Sequence, residues 1–242
     1  MKIPRVMRFV VAIGCLAILP RLASAQTLAD SGDLSNATAT NTPVPSDPGP
    51  IAVTYKRPTE KTLLRNYAFD AFGPYPIAGA GIGAGIDQAN DSPPEWKQGA
   101  NGYGKRFISD FGIAAVTTTT RYGLAKAFRE DDMYYRCSCK GFFPRLSHAV
   151  VATFTAKRGE DGHRVFSFPS VIAPYVGATT AVYGWYPSRF GAKDAFRMGN
   201  YSLLGSVGGN IALEFIYSGP HSLLARMHLN NGHGAPVPDS KP

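Results

Sequence analysis

Cys137-Ser138-Cys139 is the one closely spaced thiol pair of this 242-residue chain; Cys15 is the only other cysteine. Two thiols across a single residue can close a small disulfide loop, work as a redox switch or hold a soft metal ion. Two plainer readings stay open beside these: a local loop staple, or pairing with another chain. No Cys-x-x-Cys is present, so a thioredoxin-like site is not expected. Asp131, Arg145 and His148 flank the cysteines, and Glu214 is the only charge between Arg197 and Arg226. Together they form a candidate polar site, since carboxylate, guanidinium and imidazole groups do the work of acid–base and binding pockets. An acid inside an apolar stretch invites a functional reading. The plainer reading turns Glu214 to water on the outer side of its helix. Glu130-Asp131-Asp132 could bind a cation only with further oxygen ligands from one loop, and a solvated helix end is the simpler expectation.

Other chemistries find little support. His148, His163, His221, His228 and His233 show no ligand spacing, and His-Glu-x-x-His is absent. Neither a Gly-x-Ser-x-Gly elbow nor a P-loop occurs. "GYGKR" at 102–106 contains Gly-x-Gly but no strand precedes it; Lys105 and Arg106 at a helix start are a weak anion signal. No catalytic residue, metal or cofactor is therefore assigned.

The elements that must position these residues read as an all-α body of about six helices. Thr59 can cap a helix to about Phe72, where Gly73-Pro74 stops it. Pro76 suits the start of a second helix, through 89. A third, over 102–128, carries Tyr103, Phe107, Phe111, Ala114, Thr118, Tyr122 and Ala125 at a 3.6-residue period, with Arg106 and Asp110 as an i,i+4 pair. "EDDMYYRCSCKGFF" reads as a loop. Pro144 opens a fourth helix, "RGEDG" is a turn, and fifth and sixth helices are expected to about 186 and over 193–217.

"IAGAGIGAGI" at 77–86 holds nothing larger than isoleucine. Each helical glycine costs about 1 kcal/mol relative to alanine, so close packing must offset it. Gly79/Gly83 and Gly81/Gly85 are small-xxx-small pairs, as are Ala173/Gly177/Ala181, Ser202/Ser206 and Gly205/Gly209. They predict the second helix packed tightly on the fifth or sixth, or insertion of glycine-rich helices into lipid. The uncharged runs 165–187 and 198–213 approach spanning length, though the first is broken by Pro169 and Pro174. Three architectures stay open: a soluble helical core, a helical domain on or partly in a membrane, and an outer-membrane β-barrel. The last rests on "VVATFTA…RGEDGHRVFSF", which alternates like a hairpin, but repeated strand signals are lacking.

The ends point to export. Lys2, Arg5 and Arg8, an apolar run over 9–19 and Ala23-Ser24-Ala25 have the order of a signal peptide over 1–25; a lipid anchor at Cys15 is the lesser reading. Its removal lowers the formal charge from +8 to +4, because Lys2, Arg5, Arg8 and Arg21 leave with it. The remaining basic residues are scattered, so nucleic acid is not an expected partner. Residues 26–57, with Pro43, Pro45, Pro48 and Pro50, read as a disordered linker. The domain is expected over 58–229, with a frayed tail over 230–242.

"PPEW" at 93–96, "GYGKRF" at 102–107, "EDDMYYR" at 130–136, "GFFPRLSHAV" at 141–150, "WYP" at 185–187 and "LEF" at 213–215 occur in an order that resembles a family of exported bacterial envelope proteins. The resemblance covers most of 58–217. It implies a helical envelope protein in the periplasm or outer membrane and supplies no catalytic residue; the Cys-x-Cys is not part of the pattern. The expectation is a non-catalytic, membrane-associated component whose partners are lipid or another envelope protein. The alternatives are a periplasmic enzyme or small-molecule binder using a pocket near Arg145, His148 and the Cys137 loop, and the β-barrel.

Overall fold

Thr59 has extended backbone and its hydroxyl accepts from the Thr62 N–H, so the first helix starts where the capping residue stands. The computed structural model describes residues 55–215 and 235–236. Their order is α1 (Glu60–Phe72), α2 (Pro74–Ala89), a 3-10 turn (Pro94–Trp96), α3 (Gly99–Phe128), β1 (Glu130–Asp131), β2 (Tyr135–Arg136), α4 (Phe142–Phe154), β3 (Thr155–Arg158), β4 (His163–Phe166), α5 (Phe168–Gly184), α6 (Ala192–Phe215) and β5 (Ala235–Pro236). The fold is mostly helical. The signal-peptide reading over 1–25, the linker reading up to residue 54, and His221, His228 and His233 lie outside the described residues.

The long helix α3 is the organising element. It packs on α1, α2 and α5, while α6 packs on α5 and α4. The expectation that α2 packs on the fifth or sixth helix is corrected: α2 lies against α3 and α1. Its buried stripe is Pro76, Ala80 and Ala84. Of its glycines, Gly83 makes the close approach, because a Cβ there would stand 2.6 Å from Asp110 Oδ2. Gly81 comes near Tyr103, whose hydroxyl donates to the Gly81 carbonyl. Gly79 and Gly85, like Gly205 and Gly209 on α6, have no described atom within 4 Å of an added Cβ, so they are not packing positions among the described residues. Ala173, Gly177 and Ala181 are buried, and a Cβ on Gly177 would stand 2.1 Å from Thr117 Oγ1 and 2.9 Å from the Ile113 carbonyl. That is the seam between α5 and α3.

The stretch that alternates at 150–168 supplies one hairpin. β3 and β4 pair antiparallel from Thr155↔Phe166 to Arg158↔His163, and β1 adds to β3 through Glu130↔Arg158 and Asp131↔Lys157. The outer-membrane barrel is thereby corrected to a three-stranded sheet on a helical body. Two boundaries also move. Tyr55, expected in the linker, is buried, and Ala235–Pro236, expected in a frayed tail, pairs parallel with Tyr135–Arg136.

Candidate functional site

Glu214 sits in the last turn of α6 with none of its side chain exposed, so the outward-facing reading of this acid is corrected. Its Oε2 accepts from the Tyr134 hydroxyl at 2.6 Å and from the Cys137 N–H at 3.2 Å. Oε1 accepts from Arg145 Nε at 2.8 Å, and Arg145 Nη2 donates to the Glu214 carbonyl. The guanidinium also lies over the Phe215 ring, 4.7 Å from its centre. His148 Nδ1 stands 4.0 Å from Oε2, and its ring meets Tyr134 edge-on. The structure thus brings together Arg145, His148, Glu214 and the Cys137 loop.

The electrostatics fix the protonation states. Burial acts to raise the Glu214 pKa, but the bonds from Tyr134, Arg145 and the Cys137 N–H outweigh it and hold the carboxyl below its usual range. Burial, then the charge of Arg164, push the His148 pKa down, so the imidazole is neutral near pH 7. Burial and the bond to Glu214 raise the Tyr134 hydroxyl. A carboxylate held ionised by three donor groups makes a weak proton acceptor. The arrangement works as a clamp that ties the Cys137 loop, α4 and α6 together.

Asp131 does not join this group. It is 1% exposed, and its Oδ2 accepts from Tyr55 and Tyr135 at 3.0 and 2.6 Å, its Oδ1 from the Met133 N–H. Lys157 Nζ lies over both tyrosine rings. Glu130, 2% exposed, accepts from Arg158 and from Ser167 Oγ. The solvated-end reading of Glu130 and Asp131 is therefore corrected: both point inward, each with its own donors. Sequence reasoning missed Tyr55, Tyr134, Tyr135, Arg158 and Ser167. "EDDMYYR" held the signal, since acids beside tyrosines bring their own hydroxyl donors. Cys137 and Cys139 are paired within the chain as a disulfide with Cα atoms 5.1 Å apart, a geometry that both the loop-staple and the redox-switch readings share.

A further polar group lies where α2 meets α3. Arg106, with no exposed surface, does not pair with Asp110 as its spacing suggested. Its N–H groups reach the carbonyls of Ser92, Pro93 and Lys97 and Gln88 Oε1, with Asp91 at 3.6 Å. It pins the "PPEW" loop to the helix and is unavailable as an anion site. Asp110 Oδ2 is buried with no described hydrogen-bond partner. Burial and the neighbouring Asp87 push the Asp110 pKa up to about 7, and burial raises Asp87 too.

Two shallow surface depressions are lined by Tyr175, Val176 and Tyr183, and by Phe143, Leu146, Val150 and Val151. Neither is lined by Glu214, His148 or the disulfide. Among the described residues no three potential ligands converge as a metal site. No family model matches the chain, and neither a curated protein nor a solved structure matches it.

Proposed function

We propose that this chain is a non-catalytic component of a bacterial cell envelope, exported and seated against a membrane, with a structural or binding role. One observation carries the reading. Among the described residues, ten of the fourteen buried hydrophobic side chains are alanines, whereas Ile82, Phe143, Ile172, Tyr183, Phe196 and Leu204 stand exposed. A water-soluble helical body puts its large aliphatic and aromatic side chains inside. Small residues between helices and large ones outside is the pattern of helices whose surroundings are apolar. Among the described residues no helix is long and apolar enough to cross a membrane, so the proposal is of a body lying on or partly in one face. The resemblance to exported envelope proteins belongs to this proposal, as does location in the periplasm or at the outer membrane. Neither a cofactor nor a nucleic acid is part of it.

A second reading, a small-molecule binder or enzyme at the Glu214 group, draws on the convergence of Arg145, His148 and Tyr134. The saturated carboxylate weighs against it. Carbonate extraction of envelopes tests the first reading: the protein is expected to stay with the membrane fraction, and release into the supernatant overturns it.

A further inference from the structure

Helix α4 is amphipathic in the wrong sense for a body in water. Arg145, His148, Ala149 and Thr153 face inward: Arg145 binds Glu214, Ala149 is fully buried, and Thr153 Oγ1 accepts from Asn210. The opposite face carries Phe143, Leu146, Ser147, Val150, Val151 and Phe154, at i, i+3, i+4, i+7, i+8 and i+11. That spacing is the stripe by which a helix ordinarily meets a core. Here Phe143 is 75% and Val151 45% exposed, and Phe143, Leu146 and Val150 line an open depression.

From this geometry we infer that α4 is the element through which the body meets lipid, lying in the plane of an anionic bilayer surface; the inference rests on the membrane reading above. Thirteen residues make a helix of about 20 Å, too short for a hydrocarbon core of about 30 Å and suited to lying along its boundary. The apolar face continues beyond the helix. Thr155 pairs with Phe166 and the Ser167 N–H donates to the Phe154 carbonyl, so exposed Phe166 and Phe168 sit at its end, their rings 5.1 Å apart.

The charge beside this face selects the occupant. No acidic residue occurs from 140 through 158. Lys140, just before the helix, is exposed; Arg164, on the adjoining strand, is also exposed and flanks the helix with its Nη2 3.5 Å from His148 Nε2. The nearest acids in sequence, Glu160 and Asp161, are at the hairpin turn. A second copy would set like charges against each other across a symmetric contact, whereas anionic headgroups complement them, at about five-fold in partitioning per basic residue.

The test is flotation of the full chain, as its expression host processes it, with vesicles of phosphatidylcholine alone and of phosphatidylcholine mixed with phosphatidylglycerol. The wild type is expected to float with the mixed vesicles and several-fold less with the neutral ones. Phe143→Ser/Val151→Ser, both at exposed positions, is expected to lose at least ten-fold while keeping its helical circular dichroism. Lys140→Glu/Arg164→Glu is expected to lose binding to the mixed vesicles only. As an independent check, Phe143→Trp is expected to add blue-shifted emission over the wild type when mixed vesicles are present. Equal flotation of wild type and the serine pair overturns the role of α4 and leaves the membrane reading standing. Equal flotation on both vesicle types overturns the anionic surface. No flotation of the wild type on either overturns both the inference and the reading, and self-association that the serine pair abolishes would then assign the face to a second copy.

Discussion

Glu214 and Asp110 are acids on long helices, each turned toward a neighbouring element, and their surroundings drive them in opposite directions. Glu214 is fully buried, yet tyrosine, arginine and backbone donors hold it ionised. Asp110 is half-buried, but its Oδ2 meets no donor among the described residues and Asp87 lies nearby, so its proton is retained to about pH 7. Between these two acids the supply of N–H and O–H groups, not depth, sets the direction; at Asp131 the bonds from Tyr55, Tyr135 and the Met133 N–H do not outweigh burial. One region is therefore a finished clamp and the other a helix contact that tightens when a proton is bound.

The hardest blow to this contrast is Glu214→Ala. It strands Arg145 and Tyr134 beside an empty acceptor and is expected to cost about 3 kcal/mol, read as a lower midpoint in urea. Asp110→Asn goes the other way, because an uncharged amide replaces a carboxylate that burial penalises. Its expected effect is a gain of about 2 kcal/mol at pH 8 and little change at pH 4.

The pH profile of the wild type sharpens the point. The raised Asp110 pKa gives stability that is complete below about pH 4 and is lost as pH rises toward about 7. Asp87 and Asp131, also raised chiefly by burial, act with the same sign. The lowered Glu214 pKa gives stability that is present above about pH 4 and is lost as pH falls further. His148, lowered chiefly by burial, acts the other way, since its contribution is lost as pH falls below its ordinary value. With three raised carboxyls against it, melting temperature is expected to peak in the acid range, and Asp110→Asn is expected to flatten the alkaline side of that peak. A peak at or above neutral pH would remove the distinction between the two sites.

The smallest effects separate the glycines. Gly83→Ala presses on Asp110 and is expected to destabilise by about 1 kcal/mol. Gly79→Ala, one turn earlier with no described atom near its Cβ, is expected to stabilise by about 0.5 kcal/mol.

Much of the frame was legible because proline, glycine and a capping threonine punctuate it: Thr59 opens α1, Gly73 closes it, and α2 begins at Pro74, two residues before the Pro76 expected. Glu214, Arg145 and His148 stood out because charge is rare around them. Spacing could show that Leu146, Val150 and Phe154 share a face; it could not show that the face looks outward, since periodicity has no inside. Nor could it show that Arg106 abandons Asp110, because four acceptors of the "PPEW" loop and α2 reach the guanidinium only after the chain turns back. Tyr55 was lost to its setting, a lone aromatic at the end of a proline-rich stretch.

The polar ties that close the body join distant parts of the chain. Tyr55 reaches Asp131 and Trp185 reaches Ser109 across 76 residues, Tyr134 reaches Glu214 across 80, and Arg189 reaches Glu95 across 94. Such non-local closure slows folding. On a growing chain the 130–139 loop emerges with its donors in place and waits for an acceptor that arrives only with residue 214. The order of synthesis keeps the clamp unlocked until nearly all of α6 exists.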